Sequence, residues 1–295
     1  MQVPCKSEGP PLRLMHAAKR LIAASVAAFT YTASMSTAAC PPCAAGSSAL
    51  CAYLAQAAPT LEGRRGLPTN SNLLSGVMIA SIPAQSAFPD GVFQRQDESD
   101  DAVFYSQPRF VYHIDEGART ALTAHYSGVL SSETGAHLDI CSSWVSFLPQ
   151  GYAPARCAGL GLVAAEMEAN EQLTESVVHD LNAAPRFPFE DRSFDALTCV
   201  VSIDYLKRPF EVLRETRRVL RPGGVAVLSF SNRAFWTKAT RIWVEATEWQ
   251  RVLIVAALYQ SAGFEGVEAF EVSGEGGDPM YVVQGTSPMR VASEL

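Results

Sequence analysis

The chain has 295 residues, enough for one large domain or two small ones, and 48% of them are hydrophobic, an ordinary globular content. The formal net charge of −7 hides a division: residues 1–87 carry six basic and two acidic side chains, which leaves 17 basic against 28 acidic in residues 88–295. An acidic body is unsuited to a phosphate backbone, which rewards clustered Lys and Arg, so nucleic acid is excluded as a main partner.

The front of the chain reads as an address. No acidic residue lies between Glu8 and Glu62, and the stretch is rich in Ala, Ser and Thr. An acid-poor, Ser-rich leader with scattered bases resembles an organelle transit peptide. Its apolar run Leu21–Ala39 is interrupted by hydroxyl and small residues and makes a poor membrane span. Arg64 and Arg65 then precede a short apolar core and small residues ending near Ala87, which resembles a twin-arginine signal with a cleavage site. Two signals in series resemble a route into a plastid and on toward the thylakoid lumen. The expected organisation is a leader over 1–87, a linker with an N-terminal lid helix over 88–135, a domain over 136–286 and a tail over 287–295. The alternative is an extension at 1–87 that is never cut. Of seven cysteines, four lie in the leader, and Cys40 and Cys43 have redox-motif spacing without the strand–helix context that motif needs. Cys141, Cys157 and Cys199 each sit in an apolar run and read as small buried hydrophobes.

In the body, Pro108 breaks the segment after an acidic linker. Ile114, Ala118, Leu122 and Tyr126 then fall at helical spacing, with Asp115 and Glu116 suited to a first turn, so a helix is predicted over 115–127. Strands follow as short apolar runs: 136–141, 156–162, 176–181, 193–203 and 225–231. Helices are predicted between them at 163–173 and 208–220, the latter opening on Pro209 and closing at the glycines of Arg221–Gly224. A helix over about 237–262 ends at Gly263, and runs at 266–273 and 279–285 pair as a hairpin. Alternating strands and helices imply parallel βαβ units: an α/β, doubly wound, mostly parallel seven-stranded Rossmann-like sheet with a C-terminal antiparallel hairpin. Such sheets bind ligands at the carboxyl ends of their strands, where strand order reverses.

Residues Pro188–Asn232 carry a Pro-Phe-acid-x-x-Ser-Phe-Asp entry to a strand, a helix ending in Arg-Val-Leu-Arg-Pro-Gly-Gly, and a further apolar strand. In this order and spacing they resemble the class I S-adenosylmethionine-dependent methyltransferases of the small-molecule type, with the wider likeness running from Pro108 to Gly285. The segment Leu138–Pro149, with its Ser-Ser-Trp, resembles a plastid and cyanobacterial branch of that family with a divergent first motif. The resemblance implies S-adenosylmethionine as cofactor, a small-molecule acceptor and no metal. It puts Asp139 at the acid that ends the first strand, and Ser142 and Ser143 at the glycine-loop positions. Gly161 falls where the ribose-binding acid is expected, with Glu166 one helical turn onward. Asp180, beside Leu181, falls where the adenine amine is bound, and Ser202, Asp204 and Tyr205 where the chain passes under the cofactor.

Each residue has a plainer reading. Asp139 would cap a following helix, Asp180 would pin a turn through backbone bonds, and Asp195 would order the turn into its strand. Arg214, Arg217, Arg218 and Arg221 would form a solvated helix face, and His179 would be structural. His113 and Tyr205 are the candidates for catalysis, His113 because imidazole titrates near neutrality. Loss of the loop glycines and ribose acid leaves a second expectation open, a catalytically inactive binding or assembly protein. A nicotinamide dehydrogenase is disfavoured because no G-x-G-x-x-G follows the first strand.

Overall fold

The computed structural model describes residues 77–78, 88–273 and 277–289. The transit-like stretch, the paired arginines and the Cys40–Cys43 motif lie outside the described residues, as do the last six residues of the tail. The strands are β1 (Val77–Met78), β2 (Ala136–Ile140), β3 (Arg156–Gly161), β4 (Glu175–Val178), β5 (Phe194–Val200), β6 (Leu220–Ser231), β7 (Glu265–Glu271) and β8 (Met280–Thr286). The helices are α1 (Asp101–Phe104), α2 (Glu116–Val129), α3 (Ala164–Glu168), α4 (Pro209–Val219), α5 (Arg241–Glu245) and α6 (Glu248–Ala262), with a 3₁₀ turn at Ile203–Tyr205.

All eight strands join one sheet in the order β1-β7-β8-β6-β5-β2-β3-β4. Strands β2 to β6 pair in parallel, while β8 runs antiparallel to both β6 and β7. The expected closing hairpin forms, but its second strand inserts between β6 and β7, and β1 adds an eighth strand outside β7. The central strands are buried on both faces, which is why β5 reads as a continuous apolar run. The short edge strand β4 is largely exposed and carries Glu175 at its start.

Two apolar layers cover the sheet. On one face α2 lays Ala118, Leu122 and Tyr126 against Cys157, Ala196, Val227 and Val282. Complete burial of side chains as large as Leu122 stabilises by about 1.5–3 kcal/mol each. On the other face α4 and α6 bury Phe210, Leu213, Val252, Val255 and Leu258. Asp115 caps α2 by accepting from the Ala118 N–H at 2.8 Å, and Pro209 occupies the first turn of α4. The helix α2 is thus a layer of the fold, and the chain before it borders the cavity.

Three expectations are corrected. Asp139 does not cap a following helix, because none joins β2 to β3, where Pro149, Gly151 and Pro154 break the connection. The helix expected over 237–262 is two helices, because Thr247 opens α6 with a capping box to Gln250. Arg221–Gly224 belong to β6 rather than to a turn: the register shifts between Phe194 and Ala196, and Gly223 absorbs the irregularity at φ +76°. No described helix is long and apolar enough to cross a membrane.

Candidate functional site

Strand order reverses where β5 returns to lie beside β2. A cavity of about 320 Å³ opens there, beyond the carboxyl ends of β2 to β6, as the topology predicts. Its walls come from residues 101–114 and from the segments following β2, β3, β4, β5 and β6. Ser142, Ser143, Asp139, Asp180, Leu181, Ser202, Tyr205 and His113 all line it. Gly161 does not, while Glu166 does.

Asp139 is the organising charge of the floor. Its Oδ2 accepts from the Ser142 and Ser146 hydroxyls at 2.7 Å each, and its Oδ1 from Thr198 at 2.9 Å. The Thr198 oxygen in turn meets His137 Nε2 at 2.9 Å, and His137 Nδ1 meets the Tyr152 hydroxyl at 2.9 Å. Because the Thr198 hydrogen is committed to the carboxylate, Nε2 carries the imidazole hydrogen and Tyr152 donates to Nδ1. Every donor in the string therefore points toward Asp139. Burial pushes Asp139 up to about 6, against the pull of its three hydroxyl donors, and pushes His137 down to about 3. Asp139 is thus ionised and His137 neutral at pH 7.

The loop after β2 lacks the glycines that such loops use, and side chains hold it instead. Asn170 donates to the Ser143 carbonyl and the Ser146 hydroxyl at 2.9 Å each, and the Gln172 amide bonds Ser146 N–H, Leu148 N–H and the Leu148 carbonyl. The backbone strain remains. Cys141, Phe147 and Val201 have φ of +53°, +54° and +41°, and all three line the cavity. A β-branched residue such as Val201 seldom adopts this region, and strain of this kind gathers at ligand sites. The expected core residue Cys141 is thus a wall of the cavity, half-buried at the position where the loop turns; Cys199 and Cys157 are buried as expected.

Gly161 serves packing. A Cβ there would collide with the Ser142 carbonyl oxygen, so the residue admits the loop after β2 against the end of β3. The carboxylate that reaches the cavity from this side is Glu166, in the first turn of α3. It accepts from the Arg109 backbone N–H at 2.7 Å and the Ser143 hydroxyl at 2.5 Å. Asp180 pins a turn, its Oδ1 accepting from Asn182 and Ala183 N–H at 2.7 and 3.2 Å, while also bordering the cavity beside buried Leu181. Ser202 donates to the Val200 carbonyl at 2.8 Å. His179 bonds the Ala184 carbonyl at 2.7 Å.

The outer wall is the segment 101–114. A buried charge cluster moors its start: Asp101 pairs with Arg95 at 2.9 Å and Lys238 at 3.2 Å, and also accepts from Asn182 at 2.8 Å. Desolvation raises the Asp101 pKa, but the bonds from Arg95 and Asn182 outweigh it and hold the carboxyl below its ordinary value. At the mouth, the His113 ring stands edge-on to Phe235 at 5.6 Å, and desolvation there holds its pKa below the ordinary imidazole value. The Tyr205 hydroxyl accepts from the Phe235 N–H at 2.9 Å, and burial drives its pKa far up, so it is no base. Behind it Asp204 is buried and pushed up to about 8, with Oδ2 unbonded.

Other predicted positions lie elsewhere. Asp195 accepts from Gly135 and Ala136 N–H and pairs with Arg221 at 2.5 Å, so it orders the entry to β5. Arg218 pairs with Glu215 and Asp191, and Arg217 donates to the Ala262 carbonyl. Among the described residues, no cluster of His, Cys, Asp and Glu has the arrangement of a metal site.

Residues 142–228 match a family described as a methyltransferase domain. A ubiquinone biosynthesis O-methyltransferase of Xanthomonas oryzae pv. oryzae is 30% identical over 122 residues, 41% of this chain and 46% of that protein. A ubiquinone/menaquinone biosynthesis C-methyltransferase of Bartonella quintana is 35% identical over 103 residues, 35% of each chain. The match thus spans less than half the length of these relatives. A solved methyltransferase of Haloferax volcanii, in complex with the Trm112 activator, aligns at a TM-score of 0.45 and 17% identity, covering 60% of this chain and 92% of that one.

Proposed function

We propose that this chain, which carries a methyltransferase domain over residues 142–228, is a class I S-adenosylmethionine-dependent methyltransferase with a small, ring-bearing acceptor. The observation that carries the reading is the cavity at the strand-order reversal, in which two carboxylates, Glu166 and Asp180, flank the apolar walls Leu162, Val163, Leu181 and Leu206. That set suits a nucleoside: carboxylates accept from ribose hydroxyls and an adenine amine, and the aliphatic walls take the faces of the base. S-adenosylmethionine, when bound, supplies an electrophilic methyl group. The chain's own work is to bind, orient and exclude water.

The aromatic side of the cavity, Tyr105, Trp144, Phe147, Tyr205 and Phe235, favours a flat ring as acceptor. A phenolic or quinone-type ring accords with the ubiquinone and menaquinone pathways named for the relatives. A phenol loses a proton on methylation. His113, neutral at pH 7 and facing the cavity, is the group placed to take it. The acid limb of the activity profile then falls below the ordinary imidazole pKa.

Calorimetric titration of the full chain with S-adenosylhomocysteine tests the reading. Binding that weakens at least tenfold in Glu166→Gln and Asp180→Ala is expected; no heat at millimolar ligand refutes it. For location, import into a plastid is the reading the acid-poor leader supports, with delivery to the thylakoid lumen as its extension. The N-terminus of the mature protein, read by mass spectrometry, should then fall near Phe88. An intact Met1 in the organelle would overturn it.

A further inference from the structure

The charged residues that line the cavity are each satisfied, with one exception. Asp101 is held by Arg95 and Lys238, Asp139 by three hydroxyls, Glu166 by an N–H and a hydroxyl, Asp180 by two N–H groups and Arg233 by Asp278 at 2.7 Å. Arg109 has no ion-pair partner among the described residues. Its guanidinium sits among three rings, with Cζ 4.7 Å from the centre of Phe104 and 5.3 Å from those of Tyr105 and Phe235. Nη2 donates to the Phe104 carbonyl at 2.9 Å. Nη1 is buried and donates to nothing.

A buried charged donor without an acceptor is costly and does not persist without a reason. Packing alone would be served by a neutral side chain. The cage explains the form of the residue: the ring faces stabilise the cation and fix the fork, so little side-chain entropy is lost when an anion arrives. Glu166, which accepts from the Arg109 backbone N–H, fixes the residue's main chain as well.

We propose that Arg109 is the carboxylate receptor of the cavity, its Nη1 edge bonding an anionic group of a ligand held there. The proposal rests on the methyltransferase reading for its two sources of that group: the amino-acid end of the cofactor, or an acceptor ring bearing a carboxylate. In either case the contribution is binding and orientation, with no covalent step. A guanidinium–carboxylate pair in such a site is a charge-assisted bond with preferred in-plane geometry.

Two ligand pairs tested on the full chain decide it: S-adenosylhomocysteine against its methyl ester, and benzoate against benzamide. In each pair the second member lacks the negative charge. The receptor predicts that wild type favours the carboxylate at least tenfold in one pair or both. Arg109→Gln should remove that preference. A preference confined to the first pair assigns the cofactor's carboxylate, and one confined to the second assigns the acceptor's. Equal affinities within both pairs in wild type overturn the proposal, as does a preference that survives in Arg109→Gln. Should that variant not fold, the Arg109 side-chain resonances of wild type give the same answer: they shift with a carboxylate and not with its neutral twin, and an equal response to both refutes the receptor. If S-adenosylhomocysteine fails to bind while benzoate is still preferred over benzamide, the methyltransferase reading has failed and the receptor stands.

Discussion

Replacing Asp139 by Asn isolates the cost of the charge in the cavity floor. The carboxyl is fully buried and titrates at about 6 in the fold, against 3.8 when unfolded. A pKa raised by folding means that the native state holds its proton more tightly. The stability this contributes is present in full below pH 3.8 and is lost as pH rises through 6. The shift of about two units corresponds to about 3 kcal/mol in all, of which about 1.4 kcal/mol is lost between pH 5 and pH 8. Asn cannot ionise, and the Ser142 and Ser146 hydroxyls can rotate to accept from its amide, so the variant keeps its hydrogen bonds. Denaturant unfolding of wild type and variant at the two pH values gives the double difference. Other groups that titrate in the window, His113 among them, cancel between the two proteins when they do not couple to the site. A double difference near 1.4 kcal/mol, with the variant the flatter, is expected. Parallel curves would show that the three hydroxyls fully offset burial, and that the floor carries no latent charge cost.

Three further outcomes follow from the same geometry. Gly161→Ala drives a Cβ into the Ser142 carbonyl and should cost about 1–3 kcal/mol while weakening ligand binding, measured by thermal unfolding and calorimetry. Cys141→Gly relieves a left-handed residue and should leave stability equal or raised by about 1 kcal/mol with the cavity intact; a loss beyond that would show that the side chain, not the backbone, shapes the wall. Asp204, raised to about 8 by burial, is neutral at pH 7, and stability falls as pH rises through 8, by about 1.4 kcal/mol between pH 7 and pH 9. Asp204→Asn should abolish that alkaline loss in denaturant titrations.

The sheet was legible because its strands are buried on both faces and announce themselves as apolar runs, and the site's location followed from topology alone. The helix-free connections after β2 and β4 were legible too, in Pro149, Gly151, Pro154, Pro185 and Pro188. The break before α6 needed the pairing of Thr247 with Gln250 to be weighed against a long apolar stretch. Arg109 was out of reach of sequence reasoning. Its cage is made by Phe104 and Tyr105 before it and by Phe235 far beyond it, and only folding brings the rings together. The clue available was an arginine within an aromatic stretch, Phe104 to Tyr112. Cys141 was misjudged because hydrophobicity speaks of burial and says nothing about φ.

The small strand β1 has a consequence for the life of the chain. Val77 and Met78 pair with Ala269 and Glu268 at the outer margin of the sheet. They also precede Phe88, where the leader is proposed to be cut. Cleavage there would remove a strand from a finished sheet, leaving β7 with unpaired backbone groups on its outer side. Precursor and mature protein would then differ not only in length but in their tendency to associate.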